Sequence, residues 1–203
     1  GLNDPIVIQF VNYVGGIVTR LDFGTSYKTN QPVFDEIIQR FPVTLVLAVG
    51  AVFVGTLLAV PLGILSAVRQ YTWVDSLVLV ISMLAVSIPS FWFALMCLSL
   101  FSVQLGWLPA IFDGSPTSWV MPIVVIALAA MSGLTRMTRS SMLEVIRADY
   151  IRTARAKGQT EGKIIVRHAF RNALIPILAA LGNSLGAQLG GALIIETVFG
   201  MPG

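Results

Sequence analysis

Four long apolar stretches, separated by shorter polar segments, dominate the hydropathy pattern of this chain. The first runs from Phe41 to Val68, 28 residues without a charge. As a helix it would be about 42 Å long, more than the roughly 30 Å of a bilayer's hydrocarbon core. Three further stretches lie near residues 76–105, 119–134 and 173–195. The pattern predicts an all-α protein with four transmembrane helices.

The segment before the first span, residues 1–40, has a different pattern. Asp4 and Pro5 are typical of a helix N-cap and first turn. Apolar residues then recur at helical spacing: Ile6, Phe10, Val14, Ile17 and Leu21. Asn30 and Pro32 are predicted to open a second helix that continues through Pro42 into the first span. We expect an amphipathic segment that acts as a structural cap in preference to a substrate site.

A polar insertion of about 37 residues, 136–172, precedes the last span. Its first part predicts one helix from Ser140 to Lys157, with an apolar row of Met142, Ile146, Tyr150 and Ala154. Gly158 is placed to end that helix, and Thr160 to cap a second one that runs towards Pro176. Two helices are therefore expected to meet at a glycine corner.

Composition and charge fix the class and the orientation. Only 11% of residues are charged and 56% are hydrophobic, which excludes a soluble globule. Nine of the thirteen Lys and Arg lie within 136–172, which carries a net charge of +6 while the rest of the chain carries −3. The positive-inside rule then places 136–172 in the cytoplasm, and the turn 106–118, residues 1–40 and Gly203 outside.

Small residues recur every fourth position in two of the predicted spans. They are Gly55, Ala59 and Gly63 in the first span, and Gly182, Gly186 and Gly190 in the last. Such stripes expose bare backbone and let another helix approach closely. We therefore predict helix packing along both.

The spans offer little catalytic chemistry. No ionisable residue is expected in mid-membrane, which argues against a proton relay or an ion-coupled carrier. A single cysteine, Cys97, and a single histidine, His168, argue against a metal site and against an intramembrane enzyme. We expect no catalytic residue and no nucleic-acid partner. Weakly polar candidates for a translocation path, or for interhelical hydrogen bonds, are Ser82, Ser87, Ser90, Asn183 and Gln188.

The basic insertion allows two interpretations from the residues alone. The glycine corner has small residues surrounded by cations. Such a corner could fit into a groove on another protein. The same cations would also suit an interfacial helix on anionic lipid headgroups. Composition does not choose between them.

A specific resemblance favours the first interpretation, binding to another protein. Residues 149–158, DYIRTARAKG, followed by 167–176, RHAFRNALIP, resemble the EAA loop of binding-protein-dependent ABC importer permeases. The match is to B-type subunits of the dipeptide, oligopeptide and nickel branch. The segments 22–26, 106–109 and 196–203 are similar to that subunit as well. The superfamily triplet Glu-Ala-Ala is replaced by Arg152-Thr153-Ala154, and Pro176 lies eighteen residues after Gly158, both departures typical of this branch.

The resemblance implies a type I permease fold, with residues 41–203 as the transmembrane domain and six helices in the full-length subunit, one beyond each end of this chain. It implies a bacterial or archaeal cytoplasmic membrane, a homologous C-type permease, two ABC ATPases and an extracytoplasmic solute-binding protein. The coupling residues it implies are Asp149, Tyr150, Arg152, Thr153, Ala154, Arg155, Ala156, Lys157 and Gly158. ATP and magnesium would be bound by the partners, since the sequence lacks a G-x-x-x-x-G-K-S/T loop. Peptides, glutathione, nickel complexes and some sugars all fall within the branch.

Overall fold

A computed structural model of the chain describes residues 5–203, and Asp4, the predicted N-cap residue, lies outside them. All the secondary-structure elements of the described part are helices, as the pattern predicted. The α-helices are α1 (Ile6–Arg20), α2 (Val33–Val68), α3 (Trp73–Ser87), α4 (Ser90–Cys97), α5 (Val120–Ile146), α6 (Asp149–Ala156), α7 (Glu161–Lys163), α8 (Arg171–Gly191) and α9 (Leu193–Phe199). Two π-helical segments, Leu98–Gln104 and Ile164–Phe170, continue α4 and α7.

Of the described residues, 5–44 and the last two form one compact unit, and Leu45–Met201 form another. In the first unit α1 confirms the predicted amphipathic helix, and it ends at Leu21, whose φ of 54° is left-handed. A turn follows in which the rings of Phe23 and Phe34 stack with centroids 6.2 Å apart. The helix opened near Pro32 is α2, which runs through Pro42 without a break, as predicted.

In the second unit α2 packs closely against α5. Gly55 and Gly63 of α2 are buried, as is Ala59 between them. A Cβ on Gly55 would lie 3.1 Å from the carbonyl oxygen of Ala127. The small-residue stripe in the first span therefore packs as predicted, because only glycine lets the two backbones approach this closely.

The second apolar stretch is not one straight helix, and that prediction was wrong. Helix α3 ends at Ser87, α4 begins at Ser90, and the two axes differ by 93°. Pro89 causes the break, because its ring disfavours helical backbone at the preceding residue and it has no N–H to donate. Ile88 accordingly has extended backbone, with φ −84° and ψ 123°.

The two ends of the bent pair lie at opposite ends of α5, as expected for a single broken span. Asp75 in the first turn of α3 contacts Arg139 of α5. At the other end Cys97 and Phe101 line one apolar pocket with Val120. From Val120 to Arg139 an α-helix rises about 29 Å, close to the thickness of a hydrocarbon core.

The helix predicted over residues 140–157 is two helices. Helix α5 continues from the third span to Ile146, and α6 starts only at Asp149, because Ala148 between them is extended with ψ 147°. Because of the break, the apolar face of α6 does not continue the apolar row of α5, and different residues of α6 are buried. Ile151 is fully buried, while Tyr150, predicted to be in the apolar row, is 45% exposed.

The helix predicted to start after Thr160 is present, but it is continuous with the last span, which ends at Gly191 and not near Ile195. Helix α7, the π segment Ile164–Phe170 and α8 run together from Glu161 to Gly191, and a new helix, α9, starts at Leu193. Thr160 does precede the helix, but it makes no side-chain capping bond. In the described residues three helices are long and apolar enough to cross a membrane, and the bent pair makes four. The predicted four spans are obtained when the bent pair is counted as one broken span.

Candidate functional site

Helix α6 is anchored by a small inner face. Ile151 is 0% and Ala154 8% exposed, and both belong to a buried cluster with Met142 of α5, Ile164 of the π segment and Ala173 of α8. These residues are apolar and three residues apart on α6, so one side of a two-turn helix faces the core. The helix therefore packs against the π segment Ile164–Phe170, within a buried cluster that also includes residues of α5 and α8.

The rest of α6 is exposed. Asp149 lies in its first turn, where a carboxylate is favourable against the helix dipole. The Nη1 atom of Arg152 lies 3.6 Å from Oδ1 of Asp149, with both side chains largely in solvent. Of the residues implied as coupling residues, the structure leaves the following exposed: Asp149, Tyr150, Arg152, Thr153, Arg155, Ala156, Lys157 and Gly158.

Gly158 ends α6 as predicted. Its φ is +73°, a conformation that side-chain-bearing residues rarely adopt. The N–H of Gly158 donates to the carbonyl of Arg155 at 2.9 Å, and that of Gln159 to Ala154 at 3.4 Å. Together these bonds form a Schellman motif, which satisfies the last carbonyls of the helix. The corner after α6 is thus defined by backbone geometry.

Two side-chain contacts hold this corner, and neither was predicted. Nε of Arg155 donates to Oε1 of Glu161 at 2.7 Å, and Nη2 donates to Oε2 at 3.3 Å. These bonds raise the pKa of Arg155 above its ordinary value. The amide oxygen of Gln159 lies 2.7 Å from Nε2 of His168. Opposite charges six residues apart around a glycine were the available signal for the first contact.

A second polar cluster lies beside the end of α5. The Asp75 side chain, on α3, is only 5% exposed and receives two hydrogen bonds of 2.8 Å from Nε and Nη2 of Arg139. The hydroxyl of Ser66 on α2 donates to the same carboxylate at 2.5 Å, and the N–H of Tyr71 donates at 3.1 Å. The partners come from α2, α5 and the turn before α3, so sequence spacing gave no signal for the cluster.

The candidate path residues fall in different places. Ser82 and Ser87 each donate to a carbonyl one turn back in their own helix, at 2.8 Å, so these two bonds are not interhelical. Ser90 lines an apolar pocket at the bend of the second span. Asn183 lines a groove of about 570 Å³ between α5 and α8. Gln188 is half-buried. Their role in a path stays a prediction.

The glycine stripe of the last span does not pack within this chain. A Cβ at Gly182, Gly186 or Gly190 would meet nothing within 4 Å among the described residues. The expected close contact with another helix is therefore absent here, in contrast to Gly55 and Gly63. The periodicity predicted a surface that a helix can approach, but no helix of the described chain covers it.

Comparison with known proteins gives matches along the whole chain. The model of the binding-protein-dependent transport system inner membrane component matches residues 59–203, and the N-terminal model of the same kind of protein matches residues 1–48. The oligopeptide transport system permease protein AppB of Bacillus subtilis is 39% identical, over all of this chain and 67% of its own length.

Two further relatives are similar over the full chain. The dipeptide transport system permease protein DppB of Alkalihalophilus pseudofirmus is 38% identical, with 69% of its length covered. The glutathione transport system permease protein GsiC of Salmonella typhimurium is 37% identical, with 66% covered. A crystal structure of an amino acid ABC transporter shares the fold, with a TM-score of 0.63 at 18% identity, over 83% of this chain and 74% of its own.

Proposed function

Because this chain belongs to the family of binding-protein-dependent transport system inner membrane components, we propose that it is a permease subunit of an ATP-driven importer for peptides or related small solutes. In this proposal α6 is the coupling helix, which two ATPase subunits move. A homologous permease completes the path, and an extracytoplasmic binding protein delivers the solute. Nucleotide and magnesium are bound by the ATPases.

The seating of α6 is the observation that carries the coupling role. Ile151 and Ala154 fix the helix to the buried cluster on α5 and α8, while its outer face is free for a partner. A force on the outer face would therefore move the ends of two membrane-crossing helices together. Gly158 and the Arg155–Glu161 pair keep the far end of α6 from bending under that force.

The mechanism that this geometry suits is alternating access. Closure of the ATPases on ATP would draw the coupling helices together and open the spans outward, and hydrolysis would reverse the movement. Coupling requires the ATPase socket to bind α6 differently in its two states, because a contact of equal strength in both would shift no equilibrium.

The names of the relatives support the substrate class. They are described as permeases for oligopeptides, dipeptides and glutathione. We propose a short peptide or glutathione as the solute, with nickel complexes and sugars as alternatives within the branch. The ligand that co-purifies with the cognate binding protein, identified by mass spectrometry, tests this choice.

The test of the coupling role compares two exposed arginines. Full-length complex with its ATPases, partner permease and binding protein is reconstituted in liposomes, and uptake and ATP hydrolysis are measured together. Arg152→Glu alters the outer face of α6 and should abolish stimulation of hydrolysis by the loaded binding protein. Arg167→Glu makes the same charge change on the neighbouring π segment, outside α6, and should leave stimulation intact.

The control also separates the lipid interpretation. If the basic residues only bind anionic headgroups, the two variants remove equivalent charges and should have equal effects. Equal effects, or uptake by the wild-type complex that does not require ATP, would contradict the proposal.

A further inference from the structure

The largely buried pair of Asp75 and Arg139 joins the bent span to α5, the helix that precedes α6. We propose that these two are positioning residues for transport, and that their pair is the joint through which a displacement of α6 reaches α3 and α4. The inference rests on the proposed function, since it takes α6 as the helix that the ATPase moves.

The first step is from α6 to Arg139. Helix α5 ends at Ile146 and α6 begins two residues later, after the extended Ala148. Arg139 lies two turns before the end of α5. Ile151 of α6 belongs to the same buried cluster as Met142, one turn after Arg139. A displacement of α6 would act on the last turns of α5 through this short connection and through the shared cluster.

The second step is from Arg139 to α3. The guanidinium holds the carboxylate with two bonds of 2.8 Å, a geometry that fixes orientation as well as distance. Bonds from Ser66 and from the Tyr71 N–H keep that carboxylate in place. A second tie lies nearer α6, where Nη2 of Arg147 donates to the side-chain oxygen of Gln70 at 3.2 Å. The start of α3 and the turn before it are thus each bound to the end of α5 or the residue that follows it.

The third step is from α3 to the bend. Helix α3 carries no break between Asp75 and Ser87, so a tilt at its first turn is transmitted to the bend at Pro89. A pocket of about 220 Å³ lies there, lined by Ile88, Ser90 and Phe93 of the bent span and by Val125 of α5. Because the pair holds α3 to α5, a displacement of α5 would carry α3 and this bend with it.

A purely structural role explains the pair less well. Replacing a buried ion pair by uncharged residues of similar volume often leaves stability unchanged or higher, so stability alone gives no reason for charges there. A joint between two helices does give one, because two parallel hydrogen bonds fix the relative orientation of the helices. Arg136, one turn earlier on α5, lacks this property: Nη1 donates at 2.8 Å to Ser132 of the same helix.

The experiment uses the reconstituted full-length complex and measures peptide taken up per ATP hydrolysed. Arg139→Met leaves the Asp75 carboxylate buried without its cation and should lower both thermal stability and this ratio. The double variant Asp75→Asn with Arg139→Met removes both charges, so thermal stability should recover. The ratio should stay about tenfold below wild type, a typical size for coupling between two sites. Arg136→Met is the matched control and should keep the wild-type ratio.

The outcomes separate the two proposals. Recovery of the wild-type ratio in the stable double variant would overturn the joint and leave the proposed function standing, since wild-type uptake still requires ATP. A second measurement avoids altering the pair. Spin labels at Trp73→Cys and Glu144→Cys, in a Cys97→Ala background, should keep the same separation in nucleotide-free and ATP-bound complex. A change in that separation would show that α3 and α5 move independently, and would overturn the proposal.

Discussion

Gly63 of α2 faces Thr138 of α5 so closely that a Cβ on Gly63 would lie 2.6 Å from the Cβ of Thr138. The carbonyl oxygen of Thr135 would be 2.8 Å away, and this backbone atom cannot move aside. The contact places α2 and α5 at backbone distance along the buried stripe that contains Gly55. It therefore makes the first span part of the scaffold on which Arg139 and Ser66 are held.

The first prediction concerns this contact. Gly63→Ala should destabilise the protein by about 1–3 kcal/mol, the usual cost of overpacking a close contact. The midpoint of thermal unfolding of the purified protein in detergent measures the effect. Gly186→Ala is the matched control, because a Cβ there meets nothing within 4 Å and no left-handed backbone is involved. An equal loss of stability in both variants would mean that glycine itself, and not the contact, is required.

The second prediction concerns the exposed glycine stripe of the last span. Gly186→Leu should leave the thermal stability of the isolated chain unchanged, because a Cβ at that position would meet no other element of the described chain within 4 Å. If the stripe packs against the second permease, the same variant should reduce recovery of the paired complex. Co-purification of the two permeases measures this. Normal pairing of Gly186→Leu would show that the stripe faces lipid or an open cavity.

The third prediction concerns the corner after α6. Gly158→Val forces a β-branched residue to a φ of +73°, at a cost of about 1–3 kcal/mol, and should loosen the end of α6. Solute capture by the binding protein should survive, while transport and solute-stimulated ATP hydrolysis by the assembled complex should fall together. Gly162→Val is the control, since Gly162 is helical and has open space around it. Wild-type transport after Gly158→Val would contradict the role of the corner.

The fourth prediction separates two roles for Arg155. Arg155→Glu places a carboxylate opposite Glu161 and should reduce solute-stimulated ATP hydrolysis. Adding Glu161→Arg restores an opposite-charge pair across the corner, so hydrolysis should recover if Arg155 serves to hold α6. Failure of the double variant to recover would instead indicate that the guanidinium itself contacts the ATPase. The ATPase assay on the complex decides between them.

The fifth prediction concerns topology. Thr117→Cys and Lys157→Cys, each in a Cys97→Ala background, should react with a membrane-impermeant thiol reagent from opposite sides of spheroplasts. Both positions are exposed, whereas the neighbouring Ser118 is buried and would react poorly. Labelling of both cysteines from the outer side would refute the orientation inferred from the cations.

The sequence by itself determined the class, the places of the long apolar helices and the residue at which α6 ends. Charge gaps marked where helices cross a bilayer, and Gly158 marked where α6 stops, because both signals depend only on neighbouring residues. The break at Ala148 was missed, although Asp149 is the kind of acidic residue that opens a helix. Without that break the periodicity placed Tyr150 in the core instead of Ile151.

Only the tertiary structure decided which surfaces meet. The stripes containing Gly63 and Gly186 have the same spacing in the sequence, yet only the first packs against a helix of this chain. Asp75 and Arg139 are 64 residues apart and pair because α3 and α5 lie side by side. Periodicity records which face of a helix is apolar or small. Which element covers that face depends on how separate helices pack, and the spacing of residues within one helix does not specify it.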